Sequence, residues 1–140
     1  MREKLEAHCD AIEECYEYML AYAAQGLSGD EGSPSSARLR EHLTRAVSAI
    51  AGLPDTFTAL VKQAGLQPAD KYHKFIVVLE RDAQDALAAL ELVMSQPSPS
   101  SQLIDNLNAS IHVRALLTDL FLIDEISKPK HTATNSVTAP

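Results

Sequence analysis

The sequence predicts an all-α protein, an antiparallel four-helix-type bundle with one additional short helix and a disordered C-terminal tail. Apolar residues recur every three to four positions over most of the 140 residues. Hydrophobic residues make up 46% of the chain, and Ala and Leu, both strong helix formers, dominate them. Gly, Pro and Ser cluster between the periodic segments, which marks the connections. We therefore expect a single helical domain over residues 1–127 and a tail over 128–140.

The first helix is predicted over Arg2–Gln25, where one face is apolar and the other carries acidic side chains. The acids near its start suit the positive end of the helix dipole. The stretch Gly26–Ser36 is rich in Gly, Ser and Pro and is expected to be a flexible connection. Either Ser35 or Ser36 is expected to cap the helix that follows.

The second helix is expected to run to about Ala51, because Gly52 stops a helix and Pro54 prevents its continuation. A separate short helix is predicted over Asp55–Ala64, and Gly65 ends it.

The third long helix is predicted from Pro68, a residue tolerated in a first turn, to about Ser95. The stretch Gln96–Ser101 contains two prolines and four Ser or Gln residues and reads as a tight capped turn. The last helix is predicted as one continuous segment over Gln102–Ser127. Beyond Lys128 the periodicity is lost, so the tail is expected to be disordered.

Charge and composition disfavour several classes of function. The net charge is −7, so the molecule as a whole repels nucleic-acid backbones. No apolar run reaches the 18 residues that a membrane span needs. The two cysteines, Cys9 and Cys15, lie about 9 Å apart along a helix, which is too far for a mutual disulfide. Reduced thiols favour a cytoplasmic protein.

Four histidines, one on each main helix, raise the hypothesis of a metal-binding bundle: His8, His42, His73 and His112. Carboxylate-bridged metal bundles place a Glu three residues before a His, and no Glu has that spacing here. The metal-binding bundle therefore stays an alternative, and no metal ligand or other cofactor is assigned.

His42 carries a second alternative. It is followed by Arg45 at the third position, Ala46 at the fourth and Gly52 at the tenth. This spacing resembles histidine phosphotransfer domains, helical bundles with an exposed His, a Lys three residues on and a Gly after that. The resemblance implies that His42 accepts a phosphoryl group and that Arg45 balances its charge. The chain departs from the motif at Thr44, where the family has Leu, and at Ala46, where it has Gly.

The leading hypothesis is binding of another protein. Tyr18 and Tyr22 lie one turn apart outside the apolar face, with Cys15 beside them, and exposed tyrosine pairs suit protein contacts. Cys9, in contrast, is expected to point into the core, where a thiol is inert.

The last helix supplies a second group of partner-binding candidates, because its segment Ala115–Ile126 is apolar nearly all round. A helix of that kind either forms the centre of the bundle or is covered by a second copy. The exposed pair Val77 and Val78 favours the second copy, so we expect a homodimer. The candidate contacts on this helix are Leu116, Leu120 and Ile123.

Arg114 is expected near the centre of the apolar face of the same helix, where a cation must be paired or must reach solvent. Asp82 on the preceding helix is its expected partner, either as a structural ion pair or as part of an anion site.

Together these features predict a small acidic cytoplasmic protein that is not an enzyme. It would work as an adaptor, as an immunity or anti-regulator protein, or as a chaperone for one client. Its acidic faces would steer a basic protein partner. Neither nucleic acid nor membrane is expected as a partner.

Overall fold

The computed structural model describes residues 1–29 and 34–128. These residues form five α-helices and no strand. The predicted tail lies outside the described residues from position 129 on. The helices are α1 Arg2–Ala24, α2 Pro34–Ala64, α3 Ala69–Met94, α4 Ser101–Ala109 and α5 Ile111–Ser127.

The five helices pack around one apolar core. The helix α2 packs against both α1 and α3, while α5 packs against α3 and α4 packs against α1. The apolar helix faces that the sequence predicts are buried in this core. On α2 the buried residues include Leu39, Leu43, Ala46 and Ile50. The all-α fold is therefore confirmed. Both predicted ends of α1 and α3, and the predicted C-terminal end of α5, agree to within one residue.

The predicted break at Gly52 and Pro54 is wrong, because α2 continues through both residues to Ala64. A proline inside a helix costs about 3 kcal/mol relative to alanine. Residues on either side of it, among them Leu53 and Phe57, are fully buried on the same face as the first half of the helix. Full burial of each such side chain contributes about 1.5–3 kcal/mol, which offsets the local cost. The helix also begins at Pro34, one residue before Ser35 and two before Ser36, the two expected caps.

The predicted single helix over Gln102–Ser127 is also wrong, because Ser110 divides it. Its backbone is extended, at φ −66 and ψ 145, and its hydroxyl accepts a hydrogen bond from the Val113 N–H at 3.3 Å. A serine that caps a new helix in this way satisfies an N–H that has no partner inside the helix. The break sets a new rotational phase for α5, and this phase decides which of its residues face the core.

A cluster of hydrogen bonds joins the end of α1 to the start of α4. The Ser101 hydroxyl donates to the Tyr22 carbonyl at 2.7 Å and accepts from the Leu27 N–H at 2.8 Å. The Tyr22 hydroxyl donates to the Pro99 carbonyl at 2.6 Å. Ser101 and Tyr22 are both buried. These bonds fix the α3–α4 connection to the end of α1.

Replacing Ser101→Ala is expected to destabilise the protein by about 1–3 kcal/mol, because the buried bond to the Tyr22 carbonyl is lost and the part-buried Leu27 N–H loses its side-chain acceptor. Denaturant unfolding followed by circular dichroism measures this difference. Ser95→Ala is the matched control, since the Ser95 hydroxyl is exposed and bonds only within its own helix end. Equal stabilities for the two variants would contradict the role given to Ser101.

Candidate functional site

Two carboxylates meet inside the contact between α3 and α5. Asp119 is only 5% exposed, and the side chain of Asp82 lies near enough to raise its pKa. Its Oδ2 atom is buried and has no hydrogen-bond partner among the described residues. A buried polar atom without a partner typically costs about 1–3 kcal/mol, so its presence in the middle of a packed contact calls for a reason.

The carboxyl of Asp119 holds a proton at neutral pH. Burial is the largest cause that raises its pKa, the nearby side chain and negative charge of Asp82 act in the same direction, and together they bring it to about 8. Two neighbouring carboxyls that interact in this way share one proton, because both cannot ionise without repulsion. The pair therefore carries about one negative charge in a largely apolar contact.

No cation of the described residues neutralises this pair. The ion pairs lie elsewhere, between Arg2 and both Glu6 and Asp124, and between Lys128 and Glu125. Lys71 lies on α3 but eleven residues from Asp82, which corresponds to about 16 Å along a helix axis.

Apolar side chains flank the carboxylates on the outer side of the same contact. Val78 lies one turn before Asp82 on α3, and Leu122 lies one turn after Asp119 on α5. Because the two helices run antiparallel, both positions fall at the same level. One turn further from the carboxylates, Phe75 on α3 and Ile126 on α5 line one groove. We call Phe75, Val78, Leu122 and Ile126 the seam patch.

The seam patch is open to solvent. Val78 is 39% exposed, Leu122 46% and Ile126 48%, while Phe75 is half-buried. The groove beside it has a volume of about 320 Å³. It is lined mainly by apolar and aromatic side chains from α2, α3 and α5: Phe57, Pro68, Lys71, Tyr72, Phe75, Ile123 and Ile126.

The expected pairing of Arg114 with Asp82 is wrong. Arg114 is exposed, and Asp82 meets Asp119 instead. The prediction assumed one unbroken helix, which placed Arg114 and Phe121 on the apolar face. The break at Ser110 centres that face on Leu120, so Phe121 is 59% exposed.

The exposed tyrosine pair expected on α1 is not present. Tyr22 and Cys15 are both only 1% exposed, and Tyr22 is held by its bond to Pro99. Tyr18 is half-buried, and its hydroxyl donates to the Ser35 carbonyl at 2.9 Å. Burial raises the pKa of the Cys15 thiol to about 12, so it is a poor nucleophile.

The candidate contacts on α5 are buried in the chain's own core. Leu116, Leu120 and Ile123 are at most 2% exposed, which corresponds to the central-helix alternative for this segment. The exposed apolar residues of the segment are their neighbours Phe121, Leu122 and Ile126. On α3, Val77 and Val78 are exposed as expected.

His42 lies at the boundary between core and solvent, as predicted. Its ring stacks on Tyr18 with centroids 4.5 Å apart, and Arg45 Nη2 lies 3.1 Å from His42 Nδ1. A guanidinium only donates, so Nδ1 must accept and the ring proton sits on Nε2. A phosphoryl acceptor at Nε2 needs the opposite tautomer. The resting geometry thus brings the predicted residues together but does not prepare His42 for transfer.

Within residues 1–29 and 34–128, no three His, Cys, Asp or Glu side chains are grouped so that they can hold a metal ion. In the same part of the chain, no helix combines the length and hydropathy required to cross a bilayer. The core itself contains a cavity of about 20 Å³, room for no more than a single water.

Asp119 was missed by the sequence analysis, although a signal for it existed. It is the one charged residue in the run Leu116–Ile123, and an isolated acid inside an apolar run points to a buried carboxyl. Comparison of the chain with protein-family models, with curated proteins and with solved structures gives no match. The function is therefore argued from this geometry alone.

Proposed function

We propose that this protein works by binding another protein through the seam patch, and that it has a binding role rather than a catalytic one. The observation that carries the proposal is the grouping of exposed apolar side chains from α3 and α5 over a contact that holds a buried acid pair. Exposed apolar surface that is contiguous and flanked by polar groups is typical of interaction sites.

A regulator or adaptor of this kind needs a rigid surface, and the packing supplies one. Ile123 and Leu79, which lie directly beneath the patch on the two helices, are at most 1% exposed. The groove beside Phe75 and Ile126 has a volume of about 320 Å³, room for an apolar side chain of a partner, as when a helix or extended segment docks into a groove.

The partner that fits best is basic. The chain carries a net charge of −7, which steers cationic proteins toward it. A second copy docked on the same patch would bring an identical acid pair against the first, and like charges in an interface are unfavourable. A homodimer through this patch is the alternative outcome, and light scattering detects it as a doubled mass.

The test uses capture from native extract with three immobilised proteins. The double variant Val78→Asp/Leu122→Asp places two charges in the seam patch. The matched control Val77→Asp/Phe121→Asp alters two equally exposed apolar residues of the same helices, about 100° round each helix from the patch. We expect the control to retain the captured partner and the patch variant to lose at least about 90% of it, since two buried charges weaken binding by about 1.4 kcal/mol or more.

Both variants must first give the far-ultraviolet circular dichroism and mass of the unaltered protein. Equal capture by the patch variant and the unaltered protein would overturn the proposal. Loss of capture with the control variant alone would move the binding surface to the outer faces of α3 and α5.

A further inference from the structure

We infer that the Asp82–Asp119 pair is the receptor for one cationic side chain, a lysine or arginine, that the basic partner inserts between α3 and α5 beside the seam patch. The inference rests on the proposed function and adds the chemistry by which the surface selects its partner. The pair combines a negative charge, the buried carboxyl of Asp119 and an Oδ2 atom that has no hydrogen-bond partner among the described residues.

The geometry leaves one position of the pair unfilled. Among the described residues none donates a hydrogen bond to the buried Asp119 Oδ2, whereas Asp82 is half-buried and so lies nearer to solvent. A donor that enters from the solvent side therefore meets the more exposed Asp82 first. Ammonium and guanidinium groups carry several donors and no acceptor, so they match two carboxylates better than a neutral group does.

The side-chain pattern around the pair also fits such an insertion. Val78 and Leu122 lie one turn from the carboxylates, and the apolar stem of a lysine or arginine packs against residues of this kind while its head reaches a charge. The proton now shared by the two carboxyls would leave on binding, and the cation would take its place. The exchange turns a repulsive contact into a paired one.

The partner's cation also explains why the pair can persist in an apolar contact. Two leucines at these positions would remove the unpaired atom, but they would also remove any preference for a basic partner. Buried charge at an interface typically contributes discrimination between partners more than it contributes affinity.

The experiment supplies a cation without the unidentified partner. In the variant Leu122→Cys the new thiol is exposed, while Cys9 and Cys15 are buried with pKa values of about 12 and react slowly. Aminoethyl methanethiosulfonate then attaches an ammonium group one turn from Asp119, and ethyl methanethiosulfonate attaches the same chain without the charge. Carbon-13 carboxyl chemical shifts followed against pH give the pKa of Asp119 in each adduct.

We expect the ammonium adduct to lower the pKa of Asp119 by about one pH unit or more relative to the ethyl adduct, the effect of a close opposite charge. The same adducts on Phe121→Cys, which points about 100° away, should differ by less than half as much. In the variant Asp82→Asn/Leu122→Cys the response should shrink, because only one carboxylate remains to hold the ammonium.

A difference below about 0.3 pH unit between the two Leu122→Cys adducts would overturn the inference, because it is the size expected of a charge screened by solvent. This outcome is independent of the capture experiment. If the ammonium adduct lowers the pKa of Asp119 but the patch variant still captures the partner, the docking surface is rejected instead. If the pKa of Asp119 does not change but the patch variant loses the partner, the partner binds through apolar contact alone.

Discussion

Replacing Asp119→Asn is expected to stabilise the protein most strongly at and above pH 8 and to change its stability least near pH 4. The amide is close in shape to a protonated carboxyl and can donate a hydrogen bond to Asp82, but it cannot ionise. The variant therefore keeps the contact and removes the charge that α3 and α5 enclose.

The sign follows from the two protonation states. The pKa of Asp119 is raised to about 8 in the folded protein, mainly by burial and then by Asp82, whereas an unfolded aspartate has a pKa of about 3.9. Between these values the folded state holds a proton that the unfolded state has released. The stabilisation that this proton provides is complete below about pH 4 and is lost as the pH rises toward 8.

The size of the effect is set by the width of that window. A full shift of this size would correspond to about 6 kcal/mol at about 1.4 kcal/mol per pH unit, and relaxation around the pair reduces it. We expect Asp119→Asn to gain about 2–3 kcal/mol at pH 8.5. Denaturant unfolding at half-unit pH intervals measures it, with Asp105→Asn, an exposed acid on α4, as the control.

A parallel pH dependence for the Asp119→Asn variant and the unaltered protein would contradict this picture. It would mean that Asp119 is already ionised in the folded protein at neutral pH. Asp105→Asn should run parallel to the unaltered protein throughout, because Asp105 is exposed.

The second large effect is expected at Pro54, inside α2. Replacing Pro54→Ala restores one N–H to the helix interior and removes the clash of the ring with the preceding turn, changes worth about 3 kcal/mol in an isolated helix. Part of this gain is lost, because proline also restricts the unfolded chain. We expect a net stabilisation of about 1–2 kcal/mol, measured as a higher denaturant midpoint with an unchanged slope.

The control for this prediction is Pro34→Ala. Pro34 occupies the first position of α2, where its missing N–H has no partner in any helix, so its replacement should change stability by less than about 0.5 kcal/mol. Destabilisation by Pro54→Ala would show that neighbouring helices are packed against a local bend at this residue and that the proline maintains it.

Local pattern was enough to predict most of the helices. Both ends of α1 and α3 and the C-terminal end of α5 follow from periodicity and from flanking Gly, Pro and Ser, because these residues act within one or two turns of the chain. The burial of Cys9 and the boundary position of His42 follow from the same helical periodicity. Such properties depend on the spacing of residues within one element, which the order of amino acids states directly.

The two errors in the helices have one origin. The break expected at Pro54 and the continuous helix expected through Ser110 were both judged from local cost. Around Pro54, burial of Leu53 and Phe57 outweighs the lost hydrogen bond; at Ser110, a capping hydroxyl permits the change of direction that lets α4 pack on α1 and α5 on α3. Long-range packing decides such cases, and local pattern does not contain it.

The chain's amino-acid order by itself determined that the protein is an α-helical bundle with a net negative charge. Helical periodicity depends only on the spacing of nearby residues, and net charge depends only on composition. Only the tertiary structure decided that Asp82 meets Asp119 rather than Arg114, and that Leu122 and Ile126 rather than Leu116 and Leu120 face solvent. The rotation of α5 after Ser110 sets both outcomes. That rotation results from the packing of α5 against α3, a contact between residues far apart in the chain.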